Sequence, residues 1–168
     1  MRPARTVVYA FAAGLAACRS PDPKTVLEVS GVETYWAIDS AQGERQYIAP
    51  VVRLQVVNKG SQPLRTVEAQ ATFRRKGEST IWSSAWQRVT GPQGSPLSPA
   101  AQSLVVLKPE GEGRYYSTGP PEGMFQHPQF RDATVEVFLR IGSSSWTRFT
   151  GADVERRIGT RAVQAGGP

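Results

Sequence analysis

The sequence predicts an all-β fold, and three features carry that prediction. Apolar residues alternate with polar ones over several short runs, the period of a half-buried strand. The 13 prolines and 16 glycines gather between those runs, where turns belong. After the first twenty residues no long stretch repeats its apolar residues at the helical period.

Thr25 to Ala37 is the first β-rich run, with Leu27, Val29 and Tyr35 on one side of the pleat. Residues 39–46 read as a polar loop. Val51 to Val57 places Val52, Leu54 and Val56 on one face and Arg53 and Gln55 on the other. Asn58-Lys59-Gly60-Ser61 supplies turn chemistry, since Asn and Gly tolerate positive φ. Leu64 to Arg75 follows, with Val67, Ala69, Ala71 and Phe73 inward and Glu68, Gln70, Thr72 and Arg74 outward. These two runs are expected to pair as an antiparallel hairpin.

Thr80 to Val89 is a further strand, on which Trp82 and Trp86 would share one face. A Pro/Gly/Ser loop spans residues 90–101. Leu104 to Leu107 and Arg114 to Ser117 are short strands around a turn at Pro109–Gly113. A second long loop covers residues 118–131. Ala133 to Ile141 then aligns Val135, Val137, Leu139 and Ile141, and Gly142-Ser143-Ser144 turns into Trp146 to Phe149 as a terminal hairpin. Val154 and Ile158, spaced i, i+4, suggest one or two helical turns in Ala152 to Val163, and the QAGGP end should fray. Seven or eight short strands without a long helix make an antiparallel β-sandwich of immunoglobulin-like type, with a small barrel as the alternative.

The front of the chain has a different character. MRPAR supplies a basic n-region through Arg2 and Arg5, and TVVYAFAAGLAA is an apolar run of about a dozen residues ending in small side chains. A membrane-spanning helix needs roughly 20 residues. Pro21 and Pro23 then stop any helix from continuing. A signal peptide follows. Leu15-Ala16-Ala17-Cys18 resembles the lipobox of bacterial lipoproteins. That resemblance implies a diacylglyceryl group on the Cys18 thiol, cleavage before Cys18, and a membrane anchor of acyl chains including palmitate. The competing readings are an ordinary secretory signal with Cys18 incidental, and an apolar core helix. Two acyl chains give a stable anchor where one is marginal. The resulting divisions are a signal peptide at 1–17, a lipidated Cys and tether at 18–24, the sandwich at 25–151 and a tail at 152–168. The mature second residue would be Arg19 rather than Asp, which for a diderm host favours the inner leaflet of the outer membrane, facing the periplasm.

Removing 17 of 168 residues leaves 151, enough for one domain. It also removes two arginines, so 18 basic residues stand against 14 acids, a net +4. Arg74-Arg75-Lys76 and Arg156-Arg157 are the only basic clusters, which is too sparse for the stripe a nucleic-acid binder carries. With the sole cysteine lipidated, no disulfide is available, and the hydrophobic core must hold an exported domain by itself.

"VVRLQVVNKGSQPLRTVEAQATFRRKGE" also resembles the strand–Asn-x-Gly–strand core of FxLYD-type immunoglobulin-like domains in prokaryotic exported lipoproteins. Phe73 and Gly77 fill the aromatic and glycine places, and "LKPEGEGRYYS" resembles the later Leu-x-Pro-Gly turn and aromatic strand. Arg74, Arg75 and Lys76 stand where Leu-Tyr-Asp would be, and Glu110 intervenes before Gly111. Such domains are not enzymes as a class.

Catalytic chemistry finds little footing. The one histidine, His127, sits between Gln126 and Pro128 in a loop, and no serine lies in a Gly-x-Ser-x-Gly elbow. One His and one lipidated Cys cannot close a zinc site, and Glu110, Glu112 and Glu122 follow no calcium-loop spacing. The glycines of "GEGRYYSTG" fit turns, not nucleotide loops. No catalytic, cofactor or metal residue is expected, and the reading is a non-enzymatic envelope protein acting as a binding or assembly module. The alternative is a carbohydrate- or peptidoglycan-acting domain. It would need an aromatic-lined groove, drawn from Trp36, Trp82, Trp86, Tyr115, Tyr116 and Trp146, and two facing carboxylates among Glu33, Glu44, Glu68 and Glu136. Recognition would live on the loops at 90–101 and 118–131; Met124, Phe125 and Phe130 either contact a partner or plug the sandwich end.

Overall fold

The computed structural model describes residues 21–159. The expected signal peptide, Cys18 with the residues that resemble a lipobox, and the QAGGP end lie outside the described residues. The fold is a β-sandwich of two sheets. Its strands are β1 (Leu27–Gln42), β2 (Arg45–Asn58), β3 (Val67–Arg75), β4 (Ser83–Val89), β5 (Gln102–Leu107), β6 (Tyr115–Ser117), β7 (Ala133–Ile141), β8 (Thr147–Asp153) and β9 (Ile158–Gly159). One sheet has the order β5-β2-β1-β9 with β6 also on β2, and the other has β4-β3-β7-β8. The chain crosses between sheets after β2, β4, β6 and β8.

Alternation placed the faces of three strands as expected. Val52, Leu54 and Val56 of β2 are buried, as are Val67, Ala69, Ala71 and Phe73 of β3 and Val135, Val137, Leu139 and Ile141 of β7. β7 and β8 form the terminal hairpin. The expected pairing of the 51–57 and 64–75 runs is wrong. β2 pairs with β1, β5 and β6, whereas β3 pairs with β4 and β7. Two strands with apolar faces can be hydrogen-bonded neighbours or can face each other across a core, and periodicity does not separate these cases. The corner after β2 decides it. Asn58 and Leu64 exchange backbone hydrogen bonds with Ala100, Ala101 and Leu97, so the connector pairs with the 97–101 segment and carries the chain to the opposite sheet.

That corner also works by different chemistry from the expected positive-φ turn. Neither Asn58 nor Gly60 has positive φ. Instead the buried Asn58 side chain brackets the corner: Nδ2 donates to the carbonyls of Gln62 and Leu97, and Oδ1 accepts from Gly60 N–H.

Four further expectations need correction. Residues 39–46 are mostly strand, because β1 and β2 continue as one long hairpin with Gln42 opposite Arg45. Tyr35 does not share a face with Leu27 and Val29. Between the Ser30–Gln55 and Glu33–Arg53 pairs β1 carries one extra residue, a bulge at which Gly31 has φ +58°. Such an insertion exchanges the faces. Trp36 therefore enters the core, while Tyr35 joins Ala37 and Val51 in a small cluster on the outer side of the sheet. The expected tether contains a helical turn, α1 (Pro23–Val26), with Pro23 at its first position and Asp22 as its cap. Pro there starts the turn, because its missing N–H is not needed at that position. Finally, Ala152 and Asp153 complete β8, and Ile158–Gly159 pairs in parallel with Trp36 and Ala37 of β1, so the described part of the tail is extended rather than helical. The buried Thr34 hydroxyl fixes this crossing, donating to Asp153 O and accepting from Glu155 N–H.

Candidate functional site

One concavity lies at the sandwich end remote from α1, where β6 meets the 118–131 loop. Its foundation is aromatic. Trp36, fully buried, packs against Tyr115 (5.7 Å between ring centroids) and Phe130 (5.2 Å), and Tyr115 packs against Trp82 (5.0 Å) and Phe130 (5.1 Å). Phe125 meets Phe130 edge-on at 5.4 Å, and Met124 and Phe130 are buried. The loop's apolar residues are therefore the plug of the open end. A short 3₁₀ segment, Pro121–Gln126, presses them inward.

Polar pins hold the loop over this cluster. Tyr115 Oη accepts from the Arg131 N–H at 3.2 Å and donates to the Arg131 carbonyl at 3.3 Å. Asp132 takes two hydrogen bonds from Arg156, at 2.7 and 2.9 Å. Those bonds hold the Asp132 carboxyl below the ordinary carboxylate value, outweighing its partial burial. Arg156 in turn lies over the Phe130 ring, 5.5 Å from its centroid.

Above the plug runs a groove of about 460 Å³ lined by Arg75, Arg114, Tyr115, Tyr116, Ser117, Thr118, Gly123, Met124, His127 and Gln129. Its volume falls within the range of about 300–1,000 Å³ typical of small-ligand sites. Arg75 and Arg114 are tied to Glu78 and Asp39, and their guanidinium planes lie over Trp82 and Tyr47. Asp39 is itself held by Lys108 and Arg114 at 2.6 and 2.8 Å. Tyr116 is 52% exposed at the rim, with Arg45 over its ring. His127 is exposed, and its Nδ1 accepts from Gln129 N–H at 3.2 Å. The lining thus offers hydroxyls, an imidazole and an amide over an apolar floor, with arginines fixed at the edge. That combination has the hydrogen-bonding groups to hold and orient a polar ligand.

The residues proposed for sugar chemistry are scattered by the fold. Trp36, Trp82 and Tyr115 are in the aromatic cluster, and Trp146 lies beneath Arg140. Trp82 and Trp86 do not share a face: Trp82 precedes β4 and turns into the cluster, while Trp86 is 57% exposed on the outer face. Glu68 pairs with Arg140, Glu136 with Arg74 and Arg148, and Glu33 with Arg53; Glu44 is exposed at the β1–β2 hairpin tip. Glu68 and Glu136 do occupy one sheet face, but Glu136 is opposite Thr72, four residues along β3 from Glu68. That spacing is about 13 Å, beyond the roughly 5–9.5 Å that glycosidic hydrolysis uses. Among the described residues no three His, Cys, Asp or Glu side chains cluster as metal ligands, and Glu110, Glu112 and Glu122 are not brought together. Of the groove's contributors, Arg75 stood out in the sequence only as part of a basic cluster, Gln129 only through its loop, and Arg114 only as the start of a short strand. Nothing local marks them as one site, because strand ends and a loop converge there only in the folded chain.

The site is thus a groove at one end of a two-sheet sandwich. Three solved structures show a distant likeness to the chain. A Northeast Structural Genomics Consortium target is 9% identical, with 86% of this chain and 92% of that chain covered and a TM-score of 0.43. A protein from Bordetella pertussis described as ApaA is 13% identical, covering 76% and 91%, with a TM-score of 0.40. A protein from Archaeoglobus fulgidus is 15% identical, covering 75% and 95%, with a TM-score of 0.41. No family model and no curated protein matches the chain.

Proposed function

We propose that this protein is an exported, lipid-anchored component of the bacterial cell envelope, and that its sandwich is a non-enzymatic binding or assembly module. Cys18 carries the acyl chains, the sandwich is of immunoglobulin-like type, and an envelope protein or glycan is engaged at the end groove. The observation that carries the binding reading is the groove itself: a polar lining set on a rigid aromatic floor and pinned by the Tyr115–Arg131 and Asp132–Arg156 hydrogen bonds. Preorganised loops at a sandwich end are where such scaffolds recognise partners. The anchor reading rests on the lipobox residues Leu15 to Cys18.

Two assays test it. Labelled palmitate should enter the wild-type chain and be lost in Cys18→Ser; incorporation surviving that change refutes the anchor. Envelope partners should co-purify with the wild type and be lost in Tyr116→Ala combined with His127→Ala, with melting temperature unchanged. Turnover in a hydrolase screen that disappears on changing His127 would make the protein an enzyme and overturn the module reading.

A further inference from the structure

We propose that the sandwich end at which the chain enters is a membrane-docking surface, with Lys24, Lys59 and Arg65 set against anionic phospholipid head groups. The proposal rests on the Cys18 anchor and adds an orientation to it.

Connectivity brings the three cations to one end. The Lys59 N–H donates to Val26 O at 2.9 Å, which sets the β2–β3 corner beside α1. Gly142 N–H donates to Thr66 O at 2.9 Å, which sets the β7–β8 turn beside Arg65. Lys24, Lys59 and Arg65 are all exposed, and the ion pairs of the described residues leave them out, although the Lys24 ammonium lies 5.8 Å from the Phe149 ring centroid.

Charge is divided unequally between the two ends. The segments that build the entry end are 22–26, 59–66, 90–101 and 142–146; their one acid is Asp22, whose carboxylate caps α1 through the Lys24 N–H, and exposed Glu28 stands just inside β1 opposite Val57. At the groove end, segments 39–45, 75–82, 108–114, 118–132 and 153–157 hold nine acids: Asp39, Glu44, Glu78, Glu110, Glu112, Glu122, Asp132, Asp153 and Glu155. Eight Lys or Arg side chains accompany them. An anionic surface therefore attracts one end and not the other.

Tether length decides which end meets the bilayer. Four residue steps separate Cys18 from Asp22, a reach of at most about 14 Å. The 14-residue β2 runs the length of the sandwich, about 46 Å. The lipid thus holds the entry end close to the head groups, where a screening length of about 8 Å still lets basic residues act. The groove end stands off toward the envelope space, open to a partner. Arg19 adds a fourth cation within the tether.

The test uses the mature lipidated chain in vesicles of phosphatidylcholine with and without phosphatidylglycerol. Its only cysteine being acylated, a single reporter thiol is introduced at Ser143→Cys or Glu112→Cys, both exposed, and labelled with a fluorophore. A spin-labelled lipid head group serves as quencher. Quenching at position 143 should be several-fold stronger than at position 112 in phosphatidylglycerol vesicles. It should fall to its level in pure phosphatidylcholine vesicles in the combined Lys24→Glu, Lys59→Glu, Arg65→Glu chain and in high salt. Equal quenching at the two positions, or indifference to phosphatidylglycerol, overturns the docking surface alone, provided the chain floats with the vesicles. A chain that does not float overturns the anchor and the docking surface together.

Discussion

Asn58 Nδ2 donates to the main-chain carbonyl of Leu97 at 2.8 Å, and both residues are fully buried. One amide therefore ties the corner after β2 to a segment 39 residues later, and with it one sheet to the other. Asn58→Ala removes this bond together with those to Gln62 O and Gly60 N–H. Leaving enclosed groups unpaired costs about 1–3 kcal/mol. Urea unfolding should show that loss, and Asn58→Asp should not restore stability, because a carboxylate cannot donate to the two carbonyls.

Phe73 and Arg53 test the assignment of faces. Phe73 is fully buried, so Phe73→Ala should destabilise the fold by about 3–5 kcal/mol. Arg53 is exposed and its partner Glu33 is too, so Arg53→Ala should cost less than about 1 kcal/mol. Comparable losses in chemical denaturation would mean that β2 and β3 face the other way.

Asp39 gives the fold an acid-sensitive joint. Partial burial pushes its carboxyl upward, but hydrogen bonds from Lys108 and Arg114 overcome this and hold it below the ordinary carboxylate value. With the folded pKa below the unfolded one, its stabilisation is full above the unfolded value and is lost as pH falls through the folded value. Asp39→Asn should therefore be less stable than wild type near neutrality, and the gap should close as the solution is acidified below the normal carboxylate range. A gap that stays constant with pH would remove Asp39 from this role.

Gly111 and Gly113 lie in the same β5–β6 excursion with φ +83° and +75°, but their surroundings differ. A Cβ on Gly111 meets open space, whereas one on Gly113 would overlap the Ser83 side chain. Gly111→Ala should cost about 1–2 kcal/mol through the left-handed backbone alone. Gly113→Ala should cost that amount plus about 1–3 kcal/mol for the overlap. Equal shifts in the unfolding midpoint would contradict the close approach of this turn to β4.

The sequence by itself determined the β class, the inward faces of β2, β3 and β7, the β7–β8 hairpin and the position of most turns. Each of these follows from a local property: side chains alternate along a strand, and glycine and proline have restricted or extended backbone options. Pairing was decided elsewhere. β2 and β3 carry equally apolar faces, and only the Asn58 and Leu64 contacts with residues 97–101 place them in opposite sheets. One extra residue at Gly31 inverted the second half of β1, sending Trp36 inward and Tyr35 outward, a change that alternation cannot foresee because it assumes no insertion. The groove was partly legible, since the 118–131 loop stood out for its aromatics and its lone histidine. Its remaining walls were not, because Arg75 and Arg114 come from β3 and the β5–β6 excursion, distant in sequence from the loop and joined to it only when the two sheets close on the aromatic core.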